Sequence, residues 1–183
     1  MKKLLGSCLF LLLSCLVVPA CQARVEDTRV YQVTHVIDGD TIILDNGAHV
    51  RLIGIDAPEM REDKKIKKDL KKRHLSKRAE LAMGRKAYQY ARHLLEGKKV
   101  RLEFDVQQYD EYHRLLAYVY LMDGSFVNAQ MVKAGYAYAY PIKPDVRYAQ
   151  EFRRLYNEAR NHHRGLWHNG GTYEKGFQWF DPT

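Results

Sequence analysis

Residues 29 to 56 hold three short apolar runs separated by two tight-turn signals, and this pattern limits the folds open to the chain. Arg29 to Val36 alternates apolar and polar residues, and Thr41 to Leu44 is a short β-branched run. Asn46-Gly47 then marks a hairpin, and Ala48 to Ile55 returns. Strands this short are stable only when several of them close round a common core. Two more follow: Lys99 to Val106, with Val100, Leu102, Phe104 and Val106 in alternation, and Arg114 to Leu121. Asp123-Gly124 supplies the next turn. Helical spacing predicts three helices. Ser76 caps the first, which runs to Glu96 with Ala79, Met83, Ala87, Tyr90 and Leu94 on one face and Gly97 after it. Val127 to Ala134 is the second, stopped by Gly135, and Tyr148 to His162, with Phe152, Leu155, Tyr156 and Ala159 in phase, is the third. The order βββ-α-ββ-α-α predicts an α+β chain, mainly β, built on a five-stranded Greek-key barrel of the OB type with three helices.

A length of 183 residues with no internal repeat fits one domain, expected over residues 24 to 183. Residues 1 to 23 have the parts of a signal peptide: Lys2 and Lys3, an apolar run from Leu4 to Val18, then small residues at Ala20 and Ala23. That run is short for a membrane span. Val18-Pro19-Ala20-Cys21 resembles a bacterial lipobox, so three outcomes are open: a lipid on Cys21 that attaches the chain to a membrane, plain cleavage after Ala20 or Ala23, or an uncleaved anchor. The leader implies export to a periplasmic, cell-surface or secreted location. All three cysteines, Cys8, Cys15 and Cys21, belong to this leader. The body therefore has no disulfide, thiolate metal site or cysteine nucleophile. The net charge is +8, yet the stretch from Arg61 to Arg78 alone holds ten of the 30 Lys and Arg against three acids. Basicity concentrated in this way, over residues 61 to 78, suits a polyanion, or it keeps a loop solvated. The tail over residues 168 to 183 is aromatic, with Tyr173, Phe177, Trp179 and Phe180, and is expected to pack on the barrel.

Three clusters carry chemistry: Asp38-Gly39-Asp40-Thr41 at the first turn, Arg51 to Glu59 closing the third run, and Asp110 to Arg114 opening the fifth. Singly each is weak, since Asp-Gly is an everyday turn and a strand arginine commonly pairs with a surface acid. Together they supply two carboxylates for a hard cation, a further carboxylate and two arginines. That is the inventory for metal-assisted attack on a phosphodiester, whose negative charge has to be neutralised before water can attack. One geometric condition follows. Arg51 and Asp56 are five residues apart, so on a straight strand they would face opposite sides. A bend is needed, and Gly54 is the natural place for it.

These motifs, in this order and in this arrangement of elements, resemble the staphylococcal nuclease (thermonuclease) family over about Val30 to Trp167. The resemblance implies a nuclease that hydrolyses phosphodiester bonds within DNA and RNA chains, leaves 3′-phosphate ends, binds one Ca²⁺ and works as a monomer. By the same resemblance Asp40, Asp56 and the Ala57 carbonyl are metal ligands, and Asp38 orients metal-bound water behind them. Glu59 is the general base, and Arg51 and Arg114 bind and stabilise phosphate. Tyr112, Tyr138, Tyr140, Lys64 and Lys65 are the further candidates for substrate contact, with at least one tyrosine of the Tyr136, Tyr138, Tyr140 series expected to pack instead. Glu111 and His113 depart from the archetype, which has lysine and glycine there, and Ala57 stands where it has threonine. The competing reading is a catalytically silent nucleic-acid-binding barrel, which would usually lack the complete catalytic set.

Overall fold

The computed structural model describes residues 25–60 and 77–168. The expectations for the leader with Cys21, for Lys64 and Lys65, for most of the basic stretch and for the aromatic tail fall outside the described residues. Five strands close a barrel in the order β1 (Val25–Val36), β2 (Thr41–Leu44), β3 (His49–Leu52), β6 (Leu115–Leu121) and β5 (Lys99–Phe104), with β5 returning to β1. All neighbours are antiparallel except β3 and β6, which run parallel, so the barrel is mixed. Two short strands, β4 (Gly54–Asp56) and β7 (Tyr138–Tyr140), form a separate antiparallel pair. The helices are α1 (Lys77–Leu95), α2 (Val127–Lys133) and α3 (Ala149–Asn161), with a 3₁₀ turn at Gly165–Trp167.

The barrel interior is filled by alternate residues, among them Val33, Leu44, Val50, Leu52, Val100, Leu102, Ala117 and Val119. Strand β1 is longer than expected because its first half pairs with β5 and its end pairs with β2. A register shift between Val33 and His35 lets it turn that corner. Thr34 and His35 are consequently both exposed while Val33 and Val36 are both buried. At the other end β5 stops at Phe104, and Val106, expected inside the strand, is exposed.

The third apolar run does not stay one strand. It breaks at Ile53-Gly54, where Gly54 adopts a φ of +78°, a conformation that L side chains rarely reach. Beyond the break, β4 leaves the barrel and pairs with β7. Asn128 on α2 is fully buried and holds this junction: its amide donates to the Ile53 carbonyl (2.9 Å), and its oxygen accepts the Val119 N–H (2.9 Å). Buried polar groups need such partners, so Asn128 fixes where the strand can turn.

Helix α1 buries Glu80, Gly84, Ala87, Ala91 and Leu95. The sequence spacing had placed Met83, Tyr90 and Leu94 inward. The stripe is rotated because the helix presses closely on the two turns that follow β1 and β4, and only small residues fit there. A Cβ on Gly84 would overlap the Glu59 carbonyl, and one on Gly39 would stand 2.5 Å from the Ala57 Cβ and 3.0 Å from that of Ala87. Larger side chains such as Tyr90 and Leu94 flank this contact half-buried.

Candidate active site

The first turn is built by Asp38, whose Oδ1 accepts the Asp40 N–H at 3.0 Å, while the Asp40 carbonyl accepts the Leu52 N–H at 2.8 Å. These bonds aim the Asp40 carboxylate inward. Its Oδ2 accepts the Ala57 N–H (2.6 Å), and its Oδ1 accepts the Thr41 hydroxyl (3.2 Å). The turn after β1 and the segment after β4 are thus joined through one buried carboxylate.

Arg51 lies across the β2–β3 ladder from Thr41. Its side chain is only 16% exposed and forms an ion pair with Asp40 and another with Asp56 at 3.1 Å. It also donates to the Ile55 carbonyl at 3.2 Å. The break at Gly54 satisfies the condition read from sequence, because it brings Asp56 round to the guanidinium. Burial alone would lower the pKa of this guanidinium, but Asp40, Asp56 and Asp38 outweigh it and hold the group firmly charged.

Asp38 is held differently. Burial, and then the charge of Asp40, push its carboxyl up to about 7. Raised above its unfolded value, it keeps a proton that the unfolded chain has released, so stability falls as pH rises from about 4 to 7. Asp38→Asn keeps the turn-forming acceptor and removes the penalty. Urea unfolding in chelator at pH 8 is expected to show the variant more stable, on the order of 2–4 kcal/mol, with the gain fading towards pH 4. A difference independent of pH would contradict this account.

Arg114 is positioned by its own loop. Its Nε donates to Asp110 Oδ2 at 2.7 Å, and Asp110 Oδ1 accepts the N–H groups of Tyr112 and Arg114, each at 2.9 Å. The guanidinium stands 5.5 Å from the centroid of the Tyr112 ring, which is 71% exposed. Arg51 and Arg114 line one cleft of about 230 Å³, together with Glu111, Tyr112, Tyr140 and Lys143. Arg51 belongs to both groups: it lines the cleft and contacts Asp40 and Asp56. Ala57 is buried, and Glu59 follows it half-buried against α1.

The candidate tyrosines separate. Tyr112 and Tyr140 line the cleft. Tyr138 does not: it pairs with Asp56 in the β4–β7 ladder, is 1% exposed and meets the Trp167 ring edge-on at 5.6 Å. The expectation that it reaches substrate is therefore corrected: Tyr138 shares a strand face with Tyr140, but its ring is covered by Trp167 in the core. Tyr136 stacks on Tyr90 at 4.5 Å. Sequence reasoning missed Lys143 and Ile142, which lie in a loop without periodicity, and the positioning role of Asp110, which its spacing to Arg114 within the third cluster could have suggested.

Residues 49–169 match the staphylococcal nuclease homologue family. The chain is 33% identical over 144 residues to the thermonuclease of Staphylococcus hyicus, covering 77% of each chain. It is 34% identical over 140 residues to that of Staphylococcus intermedius, covering 75% of each. An uncharacterised endonuclease of Escherichia coli O157:H7 is 34% identical over 145 residues, covering 74% of this chain and 75% of its own.

Proposed function

The chain belongs to the staphylococcal nuclease homologue family, and on that premise we propose that this nuclease is an exported, Ca²⁺-dependent endonuclease of DNA and RNA that leaves 3′-phosphate ends. The observation that carries the proposal is the placement of Arg51, which lines the cleft with Arg114 while it is held between Asp40 and Asp56.

The donor set fits a hard cation. Asp40 and Asp56 both pair with one guanidinium, so hard oxygen donors and negative charge are in excess there. Among the described residues no group of three or more His, Cys, Asp and Glu side chains could hold a metal ion, so water and substrate oxygens would have to complete its coordination. Asp40, Asp56 and the Ala57 carbonyl would hold the ion. When bound, Ca²⁺ supplies Lewis-acid polarisation of the phosphoryl oxygen. Arg51 and Arg114 bind the phosphate and stabilise the charge that grows on it as water attacks. Glu59 takes the proton of the attacking water. The proton then has to reach the leaving 5′-oxygen for the ends to be a 3′-phosphate and a 5′-hydroxyl. Export rests on the leader over residues 1 to 23.

Residues 24–183 incubated with circular single-stranded DNA test the core of this reading. Circles are expected to be lost with Ca²⁺ and to survive in chelator. A circle offers an exonuclease no end to start from, so its loss means internal cleavage. Intact circles that shift on a gel would instead identify a nucleic-acid-binding barrel without chemistry.

A further inference from the structure

A second cavity adjoins the catalytic cleft. It measures about 250 Å³ and lies between the 140–146 loop and the start of α3. Tyr140, Ile142 and Lys143 line both spaces, so one layer of side chains separates them. On the far side Val146 and Ala149 continue an apolar lining, and Arg153 adds a second cation beside Lys143. Ile142, in the shared wall, is 61% exposed, a large apolar side chain left uncovered at this boundary. No residue assigned a catalytic or metal-binding role lines this cavity.

An apolar slot flanked by two cations matches the two halves of a nucleotide, a flat ring and an anionic phosphate. On the nuclease reading, an extended polyanion held by Arg51 and Arg114 in the cleft would run against the shared wall. We propose that this cavity binds a nucleobase of the substrate strand, within two nucleotides of the scissile phosphate, with Lys143 and Arg153 facing the neighbouring phosphodiesters. The proposal rests on the nuclease reading above. Recognition is by stacking and apolar contact, so it favours strand length over sequence.

The test measures kcat/KM with the full chain and Ca²⁺ on single-stranded oligonucleotides of two to six nucleotides, intact or with one abasic position. Adding the nucleotide that reaches the cavity is expected to raise kcat/KM about tenfold, and making that nucleotide abasic removes the gain. Ala149→Phe and Val146→Phe fill the cavity from its two sides and are expected to keep the rate on the shortest substrate while losing the gain. An equal gain in both filled variants overturns the proposal, as does an abasic scan without effect in the unmodified protein. A filled variant that also loses the shortest-substrate rate has lost more than the cavity, and the abasic scan then decides. If the unmodified protein cleaves no oligonucleotide, the nuclease reading fails. Anisotropy titrations of the same oligonucleotides then judge the cavity alone: about tenfold weaker binding of one abasic strand supports it, and equal binding of all strands overturns it. Inhibition by a free nucleoside monophosphate without any length gain identifies a product site instead.

Discussion

Glu59→Ser or Arg114→Gly is expected to reduce turnover on single-stranded DNA by about 10²–10⁴-fold while the folding midpoint hardly moves. The two halves of that expectation have separate causes. Glu59 follows the buried Ala57 on a segment outside the barrel strands, where it is half-buried. Arg114 contacts Asp110 and the Tyr112 ring within its own loop. Its removal leaves Asp110 Oδ1 still accepting the N–H groups of residues 112 and 114, so the loop keeps its shape. Arg51 is a poorer test of chemistry. Without it, Asp40 and Asp56 lose their shared cation in a buried site, a loss that costs about 3–5 kcal/mol in comparable pairs. Catalysis and stability would fall together there. Steady-state rates combined with thermal unfolding separate the cases, and near-normal rates in both Glu59→Ser and Arg114→Gly would end the catalytic assignment.

Gly54→Ala is expected to cost about 2–5 kcal/mol of stability. Two penalties combine. The backbone holds φ at +78°, and a Cβ would overlap the Phe152 ring, with Cδ2 only 2.7 Å away. Phe152 cannot easily yield, because it packs against Tyr118, Phe126 and Tyr148. The alternative is for the break to open, which carries Asp56 away from Arg51. Gly47 is the control: its φ is +80°, yet nothing lies within 4 Å of its Cβ position, so only the backbone penalty of about 1 kcal/mol applies. Urea unfolding of the two variants should differ clearly. Equal losses would mean that contact with Phe152 plays no part.

Local pattern was enough for much of this protein. Thr41–Leu44 was placed to the residue, and the helices to within one or two, because alternation, turn glycines and helical spacing are properties of neighbours in the chain. The motif residues Asp40, Arg51, Asp56 and Arg114 were likewise legible, and so was the need for a bend at Gly54. Other features depended on what lay opposite. Strand β7 is three residues long and exists through its pairing with β4, so Tyr-Ala-Tyr gave no sign of which ring would be buried. Trp167 and the ladder partner Asp56 decided that for Tyr138. The inward face of α1 was set by the close approach of Glu59 and Ala57, which favours Gly84 and Ala87 over Met83 whatever their hydrophobicity. The wall between the cleft and the second cavity likewise comes from a loop without periodicity, placed by the packing of α3. The sequence by itself determined which residue types are available for the chemistry and where the helices and most barrel strands would form, since both are written in residue type and short-range spacing. Only the tertiary structure decided which side chains meet, because steric fit and burial are settled between segments far apart in the chain.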